Sequence, residues 1–84
     1  MITQSAIRLD GRVFLGRRHA DILHQNAVSR DGVIISSIAG GEQGFVTDEG
    51  LFLDRELAAK HALGCGQISK LKYSKNVLFS EDLW

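Results

Sequence analysis

Residues 42–57 read EQGFVTDEGLFLDREL, and this stretch decides what kind of fold the chain takes. Two short runs rich in Phe, Val and Leu flank Asp48-Glu49-Gly50. A three-residue hairpin loop needs one residue in the left-handed region, and Gly50 stands where that residue falls. Asp54 follows directly. Its carboxylate can accept a hydrogen bond from the backbone N–H of Glu56 or Leu57 and so open a helix. Asp54 and Glu56 also set negative charge at the positive end of the helix dipole. The spacing therefore predicts a hairpin feeding a helix, RELAAKHAL over 55–63, which stops at Gly64 or Gly66 as left-handed C-terminal glycines do.

Toward the N-terminus, SAIRL (5–9) and RVFLG (12–16) flank Asp10-Gly11. An Asp-Gly pair between two such runs is among the strongest short hairpin signals, since both residues accept positive φ. A hairpin of 4–9 with 12–16 is expected. RRHADILHQNAVS (17–29) shows helical spacing, with Ala20, Leu23 and Ala27 on one face and Ile22 beside them. Arg30-Asp31-Gly32 reads as a turn and VIISSI (33–38) as a third strand. Ala39-Gly40-Gly41 is a break too short for an interdomain linker. Beyond the 55–63 helix, ISKLKY (68–73) reads as one more strand. The closing VLFSEDLW, with Trp84, is expected to dock on the body of the chain or on a partner subunit. The sum is a single domain over residues 1–84, of α+β class: a small antiparallel sheet of four to five strands with two helices.

A chain of 84 residues buries only about 60–65% of the surface it exposes when unfolded, so a lone monomer is marginal. Cys65 is the only cysteine, which rules out an internal disulfide. One Cys and three scattered His offer no paired spacing for zinc, so neither a metal nor a cofactor is expected. Self-association remains, and a homo-oligomer, dimer or higher, is the expectation. Ten basic and ten acidic residues cancel, so counterion release has little to work with and no DNA or RNA partner is expected. No apolar run is long enough for a membrane span, and MITQSAIRLD lacks the character of a signal peptide. With a single free thiol, the reading is a soluble protein of the cytoplasm. The charges are unevenly placed. Arg8, Arg12, Arg17 and Arg18 crowd the first quarter and Lys70, Lys72 and Lys75 the last, two basic zones able to converge on a small anion.

The catalytic inventory is poor. Cys65 falls at a helix C-terminus, where the dipole disfavours a thiolate. His19, His24 and His61 lack an evident nucleophile to serve, and no G-x-S-x-G elbow is present. Gly40-Gly41 and Gly44 precede a strand rather than a helix, so they make no phosphate loop. Arg55 at a helix start combines a guanidinium with backbone N–H groups, a pairing suited to phosphate, although Asp54 already occupies those donors. Phe45 and Phe52 lie on neighbouring strands, one for the core and one for a cleft; Phe14, Tyr73 and Phe79 are further aromatic faces. Aromatics beside Gln43, Thr47 and Arg55 could stack a base and hydrogen-bond its ribose or phosphates. A helix-turn-helix is excluded by the strand expected between the two helices.

The blocks VFLGRRHADIL, GEQGFVTDEGLFLDRELAAKHAL, GCGQI and LFSEDLW together resemble small phage and prophage proteins with the pattern G-x-x-H-A-D-I, E-Q-G-F-V-T, F-x-x-R-E-x-A, G-Q-I and S-E-D-L. The pattern resembles the first described class of anti-Thoeris cyclic-nucleotide sponges. That resemblance implies a phage protein of the host cytoplasm with no catalysis, which sequesters a host immune signal such as glycocyclic ADP-ribose, and in some members cyclic oligonucleotides. It implies dimers that assemble further, with pockets at subunit boundaries. It implies Phe45 as an aromatic platform, Arg55 and Gln67 as polar contacts, Arg17 or Arg18 together with His19 as phosphate partners, and Lys70 and Lys72 as weaker ones. The alternative reading is a phage protein–protein inhibitor of a host defence complex, of anti-CRISPR type.

Overall fold

Asp10 and Gly11 both carry positive φ, 51° and 77°, the combination of a type I′ turn, whose twist suits the strands it joins. The computed structural model describes residues 1–30, 33–36, 38 and 40–84, with side chains described outside 28–30 and 33–36. Its elements are β1 (Ile2–Leu9), β2 (Arg12–Gly16), α1 (His19–Gln25), β3 (Ala27–Arg30), β4 (Val33–Ser36), β5 (Glu42–Thr47), β6 (Phe52–Asp54), α2 (Arg55–Gly64) and α3 (Ser80–Leu83). A four-stranded antiparallel sheet runs in the order β2-β1-β5-β6, and β3 and β4 form a separate antiparallel ribbon. The class is α+β, a four-stranded antiparallel sheet with two main helices.

Both hairpins of the main sheet stand where the sequence places them. Leu9 faces Arg12 across the first turn. At the second, the Thr47 N–H donates to the Leu51 carbonyl and the Gly50 N–H to the Thr47 carbonyl, each at 3.0 Å. Gly50 takes φ +81°, the left-handed position that a three-residue loop requires. Asp54 caps α2 by accepting from the Leu57 N–H at 2.8 Å. The helix stops at Gly64, and the Gln67 N–H reaches back to the Ala62 carbonyl at 2.9 Å while Gly66 bonds to Leu63, a Schellman ending.

Two segments depart from expectation. The first helix ends at Gln25 instead of near Ser29, and Ala27–Arg30 becomes β3, with Ala27 opposite Ser36 and Arg30 opposite Val33. Asn26, Val28 and Ser29 are weak helix formers, so a ladder with β4 outcompetes another helical turn. The turn expected at 30–32 involves residues 31 and 32, outside those described, and the strand expected over 33–38 covers 33–36. Residues 68–73 form no strand. Ile68 and Leu71, three positions apart, both pack against the core, a spacing that a strand of period two cannot deliver to one face.

Cross-strand partners share a face, so Ser5, Phe45 and Leu53 lie together, as do Ile7, Phe14 and Gln43. This is the helix side, where α1 rests on β1 and β2 and α2 on β5, β6 and β1. One core cluster gathers Ile2, Phe45, Ala58, Ala59, Ala62 and Leu78, with Trp84 packed on it. A second joins Ile7, Ile22 and Ile38. The alanines of α2 let the helix approach the sheet closely enough to seal Phe45 completely, at 0% exposure. The opposite face carries Val13, Leu15, Val46 and Phe52. There the Phe52 ring lies across Gly44, where a Cβ would meet Phe52 Cζ at 2.5 Å and the Leu53 carbonyl at 2.3 Å. The Arg8 guanidinium covers that ring at 4.3 Å and pairs with Glu42.

Candidate functional site

Buried polar groups of the core converge on His19. Its Nε2 lies 2.7 Å from the Gly44 carbonyl and its Nδ1 2.6 Å from Ser80 Oγ. A carbonyl only accepts, so Nε2 carries the proton and Nδ1 accepts from the Ser80 hydroxyl. The His19 backbone N–H donates to the same Ser80 oxygen at 3.1 Å, and Ser5 Oγ, 3.1 Å from it, donates to the Arg17 carbonyl. Burial, above all, lowers the His19 pKa from its ordinary 6.5; the Gly44 hydrogen bond opposes this, Arg55 adds to it, and Glu81 and the Ala6 backbone oppose it again. The Ser–His pair has the separation of a nucleophile and its base. Ser80 is only 1% exposed, however, so no substrate reaches it, and the network acts as a polar rivet through α1, α3, β1 and β5.

The structure distributes the sequence-derived site residues among several places. Phe45 is wholly buried, edge-on to the His19 ring at 4.9 Å, and presents no stacking face. Thr47 is buried as well, its hydroxyl accepting from the Glu49 and Leu51 N–H groups of the hairpin loop at 3.2 and 3.3 Å. The Gln67 side chain grips Ile2, accepting from its N–H and donating to its carbonyl, both at 2.8 Å. Arg18 donates to the Trp84 carbonyl at 2.6 Å. Arg17, Lys70 and Lys72 are exposed, and the Lys72 backbone N–H donates to Asp82 at 2.8 Å. Gln43 and Arg55 come together on one cleft.

That cleft, about 540 Å³, is lined by Gly41, Glu42, Gln43, Asp54, Arg55, Glu56 and Val77. Its lining carries three carboxylates and one arginine, although Glu42 is paired with Arg8 and Asp54 is engaged as the α2 cap. Such a lining repels phosphate and suits groups that donate, such as sugar hydroxyls. Arg55 leans out of it, its guanidinium 5.3 Å from the centre of the Phe79 ring. Phe79 in turn meets Tyr73 edge-on at 6.2 Å and 89°. Tyr73, Phe79 and Glu81 line a neighbouring apolar hollow of about 310 Å³, and Tyr73 is 64% exposed. Arg55 thus joins an acidic cleft to an aromatic hollow.

The aromatic pair depends on an irregular segment held by one carboxylate. Asp82 is buried, and its two oxygens accept the N–H groups of Lys72 and Phe79 at 2.8 and 2.9 Å. The segment between them is pinned at both ends with Tyr73 facing outward. Among the described residues, no group of three His, Cys, Asp or Glu side chains is placed to hold a metal, and no helix is long and apolar enough to cross a membrane.

The family model described as phage T4 y16D protein matches residues 1–84. The chain belongs to that family. No curated protein and no solved structure matches it. Membership makes this a small phage protein and carries no assignment to the anti-Thoeris sponges. Several of the motif blocks in the sequence also have structural work in this phage protein. His19 and Ser80 form the buried rivet, Asp82 pins the closing segment, Gln67 clamps Ile2, and Phe45 with Thr47 completes the core and hairpin. Sequence reasoning noticed Tyr73 and Phe79 as aromatic faces without placing them in the site. Their partnership with Arg55 spans some twenty positions of irregular chain and leaves no periodic signal.

Proposed function

We propose that this phage protein is a non-catalytic sponge that captures a nucleotide-type host signal, with a base against Tyr73 and Phe79 and the sugar toward the acidic cleft. The observation that carries the reading is the Arg55 guanidinium over Phe79, with an exposed Tyr73 at right angles to that ring. An aromatic corner edged by a cation suits a purine, which stacks on π-faces and accepts hydrogen bonds at its ring edge. The carboxylates and Gln43 on the other side of Arg55 suit a ribose, whose hydroxyls donate to them. The phosphates would then face outward, toward the basic side chains that remain exposed. The resemblance to anti-Thoeris sponges supports glycocyclic ADP-ribose as the first ligand to try, with cyclic oligonucleotides second.

The test is capture and release. The protein is incubated with glycocyclic ADP-ribose, separated from free ligand and heated. Intact ligand in the supernatant is the expected result, and a converted product would make the protein an enzyme instead. Tyr73→Ala and Arg55→Ala are each expected to weaken capture about two- to tenfold, the loss of one stacking or cation–π contact, with unchanged circular dichroism. Absence of binding to either ligand class at micromolar protein overturns the reading.

A further inference from the structure

Strand β2 is an edge of the main sheet. It carries Val13 and Leu15, 43% and 45% exposed, on the face that no described helix covers. The hairpin turn settles which of its backbone groups are used. In a two-residue hairpin the pair that closes the turn, here Leu9 and Arg12, exchanges both hydrogen bonds, and bonded pairs then alternate along the ladder. Ile7 with Phe14 and Ser5 with Gly16 are therefore also bonded pairs. The N–H and C=O groups of Val13 and Leu15 point away from the sheet, toward whatever lies beside it.

We propose that β2 pairs with the β2 of a second copy of this chain, antiparallel about a two-fold axis at Phe14. In this register Val13 stands opposite the partner's Leu15, and Leu15 opposite the partner's Val13. All four outward-pointing groups of each strand are then used, and both new side-chain pairs are apolar. Registers centred on Val13 or Leu15 use only half of those groups. The apolar surface lined by Val13, Leu15, Val46 and Phe52, part of a groove of about 540 Å³, becomes continuous across the axis. The charges agree as well. The same register carries the turn residue Asp10 to the end of the strand where the partner's Arg17 and Arg18 stand, once on each side of the axis. An edge that complements itself in hydrogen bonding, side chains and charge fits an isologous dimer. Pairing also removes one of the two edges of the sheet, which a short chain must otherwise protect.

Sedimentation velocity of the full chain is expected to give twice its 9.2 kDa mass. Leu15→Lys, which sets a charge opposite the partner's Val13 on each side of the axis, is expected to give a monomer with unchanged circular dichroism. The register is tested by cross-linking in a Cys65→Ser background. Directly opposed bonded positions have Cα atoms about 5.5 Å apart, within reach of a disulfide. Val13→Cys with Leu15→Cys is expected to form a covalent dimer on oxidation, whereas Val13→Cys alone stays uncross-linked because the axis separates its two copies. A monomer at all concentrations, a dimer that survives Leu15→Lys, or a single Val13→Cys variant that cross-links as readily as the double would overturn the proposal.

Discussion

Nδ1 of His19 and the hydroxyl of Ser80 lie 2.6 Å apart although sixty-one positions separate them. Each residue opens a helix, α1 and α3, so this one bond fixes the closing segment against the first half of the chain. Ser80→Ala leaves both Nδ1 and the His19 backbone N–H without their partner. Stranding buried polar groups costs about 1–3 kcal/mol. The variant is expected to lose that much in urea unfolding, and a loss within error of zero would mean that water replaces the hydroxyl.

The same residue sets an acid limit. Burial lowers the His19 pKa from 6.5, so below that value the unfolded chain binds a proton that the folded chain still refuses. Stability then rises with pH through the window between the lowered folded value and 6.5, and this contribution is complete above 6.5. The melting temperature is expected to fall as pH is lowered from 7.5 to 5.5. In His19→Gln the fall is expected to be shallower. An identical slope in both proteins would place the acid sensitivity elsewhere.

Gly44 is a matter of space. Its missing Cβ makes room for the Leu53 carbonyl and the Phe52 ring, at 2.3 and 2.5 Å from where that atom would stand. A backbone carbonyl cannot swing aside as a side chain does, so Gly44→Ala is expected to cost about 1–3 kcal/mol or more. It should also lift Phe52 off the sheet and free Arg8, visible as a change in Phe52 ring shifts by NMR.

His61 offers the opposite outcome. Its Nε2 is buried with no hydrogen-bond partner among the described residues, a desolvation penalty of about 1–3 kcal/mol for a polar atom that gains nothing in return. His61→Leu is expected to raise the melting temperature, and a clear drop would show that the imidazole has a partner in solution.

Much of the fold could be read in the chain because its decisive signals are local. Asp10-Gly11, Gly50, Asp54 and the glycines after Leu63 each act within a few residues, and each does in the structure what its chemistry requires. Where local preferences were nearly balanced, longer contacts decided: Ala27–Ser29 looks helical by periodicity but pairs with β4, and Ile68 and Leu71 serve the core from an irregular segment. The site suffered most from this. Strand parity sends one of Phe45 and Phe52 inward and the other outward, yet nothing local says that Phe45 is the inward one, opposite Ser5 and Leu53. The resemblance implies Gln67 as a polar contact, and its amide is spent on Ile2. Arg55 and Gln43 do share a cleft. Their aromatic neighbours come from a segment whose position depends on Asp82, a contact no spacing rule reveals.

The grip of Gln67 on Ile2 has a consequence for how the molecule opens. One side-chain amide holds both backbone groups of a residue at the start of β1, and that amide is itself placed by the left-handed ending of α2. The Ile2 N–H exchanges with solvent only when that amide is released, by fraying at the start of β1 or by loosening of the turn at residues 65–67. Deuterium uptake at residue 2 therefore reports on two segments that lie more than sixty residues apart in the chain.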